Sequence, residues 1–89
     1  MPSVHFTGNL QRYLPAPSVE VSGGTVRAAL DSVFADNPAL RSYLLDDQGR
    51  LRRHVNVFVN GQQVRDRNGL SDPIGDGDEV YVIQALSGG

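Results

Sequence analysis

Hydrophobic and polar residues alternate in several short stretches of the chain, and this period of two predicts β-strands. The first stretch covers residues 3–8 and the second covers residues 18–22, each with its valines or phenylalanine on one face. Residues 9–17, which include Pro15 and Pro17, separate them as a turn region. We therefore expect the chain to open with a β-hairpin.

In the next stretch, hydrophobic residues recur every three to four positions, a spacing that is typical of an amphipathic helix. A glycine pair interrupts the strand pattern, and Thr25 is well placed to cap the first helical turn. The apolar stripe of this helix consists of Val26, Ala29, Leu30, Val33 and Phe34. Asn37-Pro38 ends it, because proline disfavours the helical conformation of the residue before it. Residues 38–45 predict a further short helical turn.

The second half of the chain returns to strand patterns. Residues 51–60 form the longest of these, with three valines on one face and Phe58 on the other. Asn60-Gly61 is a strong signal for a two-residue hairpin turn, and residues 62–64 supply a short return strand.

The last strand pattern covers residues 79–86, with Val80 and Val82 on one face and Tyr81 and Ile83 on the other. The order is then hairpin, helix, hairpin and final strand. This order predicts an α+β roll, in which one main helix covers one face of a mixed sheet of four to five strands. In that arrangement the first and last strands lie side by side and parallel at the centre.

Composition and charge narrow the possible functions. The chain has 89 residues, of which 39% are hydrophobic and 20% charged, as in an ordinary small globular domain. We expect residues 1–85 to form this domain and residues 86–89 to form a flexible tail. A net charge of −2 disfavours nucleic-acid binding as the main function.

Three kinds of sequence feature that would indicate disulfides, a membrane span or secretion are missing from the sequence. There is no cysteine, which excludes disulfides, a thiol nucleophile and a thiolate metal site. No apolar run approaches the ~20 residues that span a bilayer. The first residues have neither the basic nor the apolar region of a signal peptide. We expect a cytoplasmic protein that does not act at a membrane.

Candidate catalytic and metal-binding groups are few. His5 and His54 are the two imidazoles, and neither has a partner at a metal-ligand spacing. The acidic cluster within residues 72–79 does not match the order of an EF-hand loop. The sequence shows neither a phosphate-binding glycine loop nor the pattern of a catalytic triad. We therefore expect no catalytic residue and no bound metal, and hence a protein that is not an enzyme.

The C-terminus carries the most suggestive chemistry. The chain ends in Leu86-Ser87-Gly88-Gly89, and a terminal glycine has no side chain to block a narrow channel. Activation by ATP would make its carboxylate an acyl donor or, after sulfur transfer, a thiocarboxylate. A tail without function is the alternative. All eight basic residues are arginine, so no lysine amine competes for an activated end, although codon bias gives the same composition.

The second half also carries a set of motifs in a characteristic order. They are Gly49-Arg50-Leu51-Arg52-Arg53-His54-Val55-Asn56-Val57-Phe58-Val59-Asn60, Val64-Arg65, Gly69-Leu70, Ile74, Gly77-Asp78-Glu79-Val80 and the terminal Gly88-Gly89. With these motifs the chain resembles the ubiquitin-like sulfur-carrier family, which includes the thiamin and molybdopterin carriers. Within that family it is similar to the actinobacterial carriers used in cysteine biosynthesis. The resemblance covers nearly the whole length, is strongest from Gly49 onward, and implies a β-grasp fold.

The resemblance also implies a cycle carried out by partner enzymes. A ubiquitin-activating-enzyme-like adenylyltransferase and sulfurtransferase uses ATP and magnesium to adenylate the Gly89 carboxylate, and sulfur then displaces AMP. A synthase accepts the sulfur: a pyridoxal-phosphate cysteine synthase in the cysteine branch, or a thiosugar-type or thiamin-type synthase elsewhere. A zinc metalloprotease of the JAMM type later releases the cysteine. These cofactors belong to the partners, so we expect none on this chain.

A docking patch is expected on the sheet face away from the helix. Large apolar side chains left in water there mark an interaction surface, unless neighbouring strands or loops cover them. Two arginines would rim the patch, and the tail would enter the partner. The expected partner-binding residues are Phe58, Tyr81, Ile83, Leu86, Ser87, Arg52 and Arg53.

Two other classes of function remain open. The first alternative to the carrier is a protein modifier that is joined through Gly89 to lysines of its targets, and the second is a passive β-grasp binding module with an inert tail. The lack of lysine prevents lysine-linked chains on the protein itself, which disfavours a polymeric tag but permits single attachment.

Overall fold

The computed structural model describes residues 1–6 and 18–84. Within these ranges the chain forms β1 Ser3–Phe6, β2 Ser18–Glu20, α1 Val26–Asp36, α2 Pro38–Leu44, β3 Val55–Val59, β4 Gln62–Gln63 and β5 Glu79–Gln84. The predictions for residues 7–17 and 85–89 lie outside the described residues.

The strands form one mixed sheet in the order β2-β1-β5-β3-β4. β1 and β5 are parallel neighbours, with Val4 opposite Val80. β3 runs antiparallel to β5 on the other side, with Val57 opposite Val82. The β1–β2 and β3–β4 pairs are antiparallel, as two hairpins require. The predicted mixed sheet, with its first and last strands parallel at the centre, is confirmed.

The hydrophobic core combines one face of the sheet with the apolar sides of both helices. Alternation along each strand sends every second side chain to this inner face. Its fully buried members include Val4, Phe6, Val26, Leu30, Leu40, Leu44, Val55, Val57, Val80 and Val82. Full burial of one such side chain stabilises a fold by about 1.5–3 kcal/mol. Neither helix of the described ranges combines the length and apolar character of a membrane span.

Local signals set the ends of the elements as predicted. Thr25 caps α1, because its side-chain oxygen accepts a hydrogen bond of 3.1 Å from the Ala28 N–H. Pro38 lies in the first turn of α2, where its missing N–H costs nothing. Asn60 and Gly61 have φ values of 50° and 87°, the pair of positive values that a type I′ hairpin turn needs.

Three strands are shorter than the sequence pattern indicates. β3 begins at Val55 rather than at Leu51, because the Leu51 N–H donates to the Arg67 carbonyl at 3.0 Å instead of to β5. β2 ends at Glu20, and the return strand is limited to Gln62–Gln63. In these two cases the next residue still bonds to the neighbouring strand segment: the Val21 N–H donates to the Pro2 carbonyl and the Val64 N–H to the Val57 carbonyl, both at 2.9 Å.

Candidate carrier terminus and docking face

The C-terminal residues continue from one of the two central strands. β5 ends at Gln84, so five residues separate it from the free carboxylate of Gly89. Leu86, Ser87, Gly88 and Gly89 lie outside the described residues. The structure therefore fixes the point from which the tail starts, at one end of the sheet and between two neighbouring strands.

The sheet surface that faces away from the helices is here called the outer face, and it carries Phe58, Tyr81 and Ile83. Phe58 lies directly opposite Tyr81 across the β3–β5 ladder, while Ile83 lies opposite Asn56. Tyr81 and Ile83 are 37% and 36% exposed, whereas Phe58 is half-buried. Phe58 and Tyr81 are therefore a cross-strand pair, and Ile83 lies two positions from Tyr81 on the same face of β5, so the three side chains form an apolar patch on the outer face.

His5 extends this patch onto β1, a contribution that sequence reasoning missed. Its ring stacks on the Tyr81 ring with the centroids 4.5 Å apart and the planes 21° from parallel. One ring nitrogen lies 2.6 Å from the Ser18 hydroxyl and the other 3.2 Å from a Glu79 carboxylate oxygen. The alternation of β1 does predict that His5 points outward. That it meets Tyr81 depends on the parallel register of β1 and β5, which the pattern of a single strand does not contain.

The two arginines of the expected rim have different surroundings. Both precede β3, whose first residue Val55 lies opposite Gln84, so they lie at the end of the sheet where the tail begins. The Arg52 Nε donates to the Ser42 carbonyl at 2.8 Å, which joins this segment to α2. Arg53 is exposed. Of the pair, Arg53 is the side chain that faces solvent.

The turn before β5 fixes the register of that strand. Asp78 accepts hydrogen bonds from the Gly75 N–H at 2.8 Å and from the Asn60 side-chain amide at 2.9 Å. Asn60 in turn accepts from the Glu79 N–H at 2.9 Å. The Asn60 amide and the Gly75 N–H hold the pKa of Asp78 below its usual value. The Gly-Asp-Glu-Val motif thus has a structural role, since it determines which residues of β5 point outward.

A second carboxylate organises the loop between β4 and β5. Asp66 accepts hydrogen bonds from the N–H groups of Asn68, Gly69 and Ser71 and from the Ser71 hydroxyl. These donors, the Gly69 N–H first, lower the pKa of Asp66 to about 2. The ionised carboxylate is therefore part of the folded loop at neutral pH.

Arg27 connects this loop to the helices. From α1 its guanidinium donates to the Gly49 carbonyl at 2.7 Å and to the Gly69 carbonyl at 3.2 Å. Gly49 has a φ of 79°, which favours glycine. Two of the motif positions that carry the resemblance therefore hold loops against α1.

A polar surface groove of about 700 Å³ lies along the β4 edge, with Gln62, Asp66, Asp72 and Asp78 in its lining. Its carboxylates already accept hydrogen bonds from within the protein; both oxygens of Asp72, for example, bind the N–H groups of Arg65 and Asp66. Among the described residues, no group of three or more His, Asp or Glu is arranged to hold a metal ion.

Comparison with known proteins agrees with this geometry. The model of the ThiS family matches residues 4–89, nearly the whole chain including the terminal glycine pair. The chain belongs to the ThiS family.

The similar proteins are named either as sulfur carriers or as protein modifiers. The sulfur carrier protein CysO of Mycobacterium tuberculosis is 38% identical over 74 residues, which cover 81% of this chain and 80% of CysO. Small archaeal modifier protein 1 of Haloferax volcanii is 38% identical over 72 residues, covering 80% and 78% of the two chains. This ThiS-family chain is thus a small carrier protein of the CysO and archaeal-modifier type, a group whose members are named as carriers and modifiers.

Solved structures confirm the β-grasp fold. A chain in the crystal structure of the Amycolatopsis orientalis BexX/CysO complex superposes with a TM-score of 0.87 at 30% identity, covering 100% of both chains. Crystalline Mycobacterium tuberculosis CysO gives a TM-score of 0.84 at 31% identity, covering 97% of this chain and 100% of CysO. The α+β roll predicted from the sequence is the ubiquitin-like β-grasp fold of these proteins.

Proposed function

We propose that this ThiS-family protein carries sulfur as a thiocarboxylate on Gly89 and donates it to the biosynthesis of cysteine or of another sulfur-containing metabolite. The observation that carries the proposal is the family match, which extends to the last residue and so includes Gly88 and Gly89. The name of CysO, a sulfur carrier protein, supports it further.

The chemistry starts with adenylation. A carboxylate oxygen of Gly89 attacks the α-phosphorus of ATP in an adenylyltransferase related to ubiquitin-activating enzymes, and pyrophosphate leaves. Magnesium, held by the enzyme, neutralises the phosphate charge. Hydrosulfide then attacks the acyl carbon; a C–S bond forms as the C–O bond to AMP breaks, and the thioacid loses its proton to water. The product is a thiocarboxylate at Gly89, with no change of oxidation state.

The outer face supplies the docking surface for this enzyme. Tyr81 and Ile83 belong to β5, which ends five residues before Gly89 in the sequence, so an enzyme that holds the C-terminus lies near them. Five extended residues span at most roughly 18 Å, which limits the depth of the active site below the docking surface. Two terminal glycines allow that channel to be narrow. That the CysO relative was solved in complex with BexX supports binding of a partner protein.

Sulfur delivery completes the cycle. In the cysteine branch, the thiocarboxylate sulfur would add to an aminoacrylate supplied by a pyridoxal-phosphate synthase and form a thioester. Transfer of the acyl group from that sulfur to the amino nitrogen would leave cysteine in a peptide bond to Gly89, which a zinc metalloprotease of the JAMM type would then hydrolyse. A thiosugar-type or thiamin-type synthase is the corresponding acceptor in other branches. ATP, magnesium, pyridoxal phosphate and zinc all belong to these partners, and the chain itself catalyses no step.

Reconstitution distinguishes carrier from modifier. The chain is incubated with the adenylyltransferase from the same genome, ATP and sulfide, and then with a cysteine synthase and an activated serine. The carrier proposal expects sulfur to reach a small molecule, and the cysteine branch expects a chain extended by one cysteine on Gly89. When cell extract is added, covalent ladders on lysines of other proteins, without sulfur transfer to a small molecule, would establish the modifier function. If Gly89 is never adenylated, a passive binding module remains.

A further inference from the structure

In the His5–Tyr81 stack, the His5 ring is held from both sides by hydrogen-bond partners on neighbouring strands. The His5 side chain is 21% exposed, and each of its nitrogens contacts a different neighbouring strand. Since a carboxylate only accepts hydrogen bonds, the nitrogen 3.2 Å from Glu79 carries a proton and donates it. The other nitrogen, 2.6 Å from the Ser18 hydroxyl, lies on the β2 side. The imidazole is therefore held in the plane that stacks on Tyr81.

This anchoring restricts an exposed aromatic ring. Tyr81 is 37% exposed, and a tyrosine on an open sheet face would otherwise populate several rotamers. A binding partner has to immobilise such a side chain, which weakens binding. Phe58 borders the ring from β3 and His5 borders it from β1. The Tyr81 ring is thus oriented before any partner arrives.

The side chains on the strands next to His5 carry negative charge, which is compatible with an imidazole at this position. β1 has β2 on one side and β5 on the other. On the outer face, β2 carries Glu20 and β5 carries Glu79, and both lie opposite Ser3. The charged side chains of these two described strands are therefore both acidic. A histidine at this position is compatible with both carboxylates, whereas an acidic residue would be repelled.

We propose that His5 is a positioning residue for docking: it fixes the Tyr81 ring so that the enzyme that adenylates Gly89 binds a preformed apolar surface. This inference rests on the proposed function. The enzyme is the occupant of the outer face because Tyr81 lies only eight residues before the carboxylate that the enzyme has to reach. Among the described residues His5 stacks on Tyr81, and it is through this contact that it acts on docking.

The first test uses the free carrier and nuclear magnetic resonance. In the wild-type protein, the ring protons of His5 and Tyr81 should show mutual ring-current shifts and a nuclear Overhauser effect between the rings. His5→Leu should abolish both signals, Ser18→Ala should weaken them, and His5→Phe, which keeps an aromatic ring but neither hydrogen bond, should also show weakened ring-current shifts. Thermal unfolding of each variant checks that the fold is intact. Equal signals in wild type and Ser18→Ala, or none in wild type, would refute the anchored stack.

The second test measures adenylation kinetics with the carrier as the varied substrate. His5→Leu should raise KM about three- to tenfold, the effect of immobilising one side chain, and leave kcat unchanged. His5→Phe, which keeps the ring but loses both anchoring hydrogen bonds, should give a KM between those of the wild type and His5→Leu. Tyr43→Leu on α2, which changes an exposed tyrosine outside the outer face, is the matched control and should leave KM unchanged.

The outcomes separate the two proposals. Adenylation of the wild type with an unchanged KM for His5→Leu would overturn the role of His5 and leave the carrier function standing. A fall in kcat with constant KM would also contradict a docking role. No adenylation of the wild-type chain would refute the proposed function and, with it, this role for His5.

Discussion

Phe58 of β3 and Tyr81 of β5 lie directly opposite each other in the antiparallel ladder, on the sheet face that the helices leave uncovered. Their neighbours in sequence, Val57 and Val82, are fully buried on the other face. One strand pair therefore serves both the core and the proposed docking surface. Substitutions on its two faces should consequently have different effects.

Charge substitution on each face tests this division. Ile83→Asp should weaken docking of the adenylating enzyme by roughly 1–3 kcal/mol, the range for loss of an apolar interface anchor, while the domain stays folded. Val57→Asp should unfold the domain, because an unpaired charge would enter the core. Circular dichroism and adenylation KM measure the two effects. If Ile83→Asp unfolds the protein as completely as Val57→Asp, the assignment of the two faces is wrong.

The link between Asn60 and the start of β5 predicts a specific loss of stability. Asn60→Gly keeps a residue that tolerates the positive φ but leaves the Glu79 N–H without its acceptor, which should cost about 1 kcal/mol. Asn60→Ala should cost more, because alanine also disfavours that φ. Chemical denaturation measures both variants. Equal stabilities of wild type and Asn60→Gly would show that the side chain does not hold the strand.

Acid should destabilise the loop of Asp66 in a defined pH range. Hydrogen bonds, the one from Gly69 N–H foremost, lower the pKa of Asp66 from 3.8 to about 2 in the folded state. A lowered pKa stabilises the fold above the unfolded-state value, and this stabilisation is lost as pH falls toward the folded-state value. Stability should therefore decline between about pH 4 and pH 2.

The Asp66→Asn variant isolates this contribution. It should be less stable at neutral pH and should show a smaller decline in acid, when thermal unfolding is followed from pH 7 to pH 2. Asp31→Asn, on the exposed side of α1, is the matched control and should keep the wild-type pH profile. An unchanged acid profile in Asp66→Asn would exclude Asp66 as the source of the decline.

The alternating pattern predicted the faces of β5 correctly, since a period of two is a local property of the sequence. It did not predict where β3 begins, because Leu51 pairs with the loop at Arg67 and that pairing depends on tertiary structure. The same limit applies to His5 and Tyr81, which are 76 positions apart and meet only through the parallel register of β1 and β5.

Some features of the candidate site could likewise be predicted from the sequence, whereas others depend on tertiary structure. The chemistry proposed for Gly89 was suggested directly by the sequence, because it depends on residue type and not on tertiary contacts. The outward direction of Phe58, Tyr81 and Ile83 followed from alternation. Their exposure did not, because the half-burial of Phe58 depends on packing that a single strand pattern does not contain. Arg52 likewise binds the Ser42 carbonyl, a partner that only the folded chain brings near.

Removal of Gly88 and Gly89 should separate folding from function. Both residues lie beyond the last described strand residue, Gln84, so the truncated chain should keep the wild-type Tm. It should support no ATP–pyrophosphate exchange with the adenylyltransferase, because the new end is Ser87. Exchange at the wild-type rate would show that the glycine pair is not the activated end.

The most direct measurement is the mass of the intact chain after incubation with the adenylyltransferase, ATP and sulfide. We expect one oxygen to be replaced by one sulfur, and fragmentation to place that sulfur on Gly89, since the chain has no cysteine to hold a persulfide. The chain without Gly88 and Gly89 should keep its original mass. Adenylation of the full chain without any gain of sulfur, or sulfur located on another residue, would contradict the carrier function.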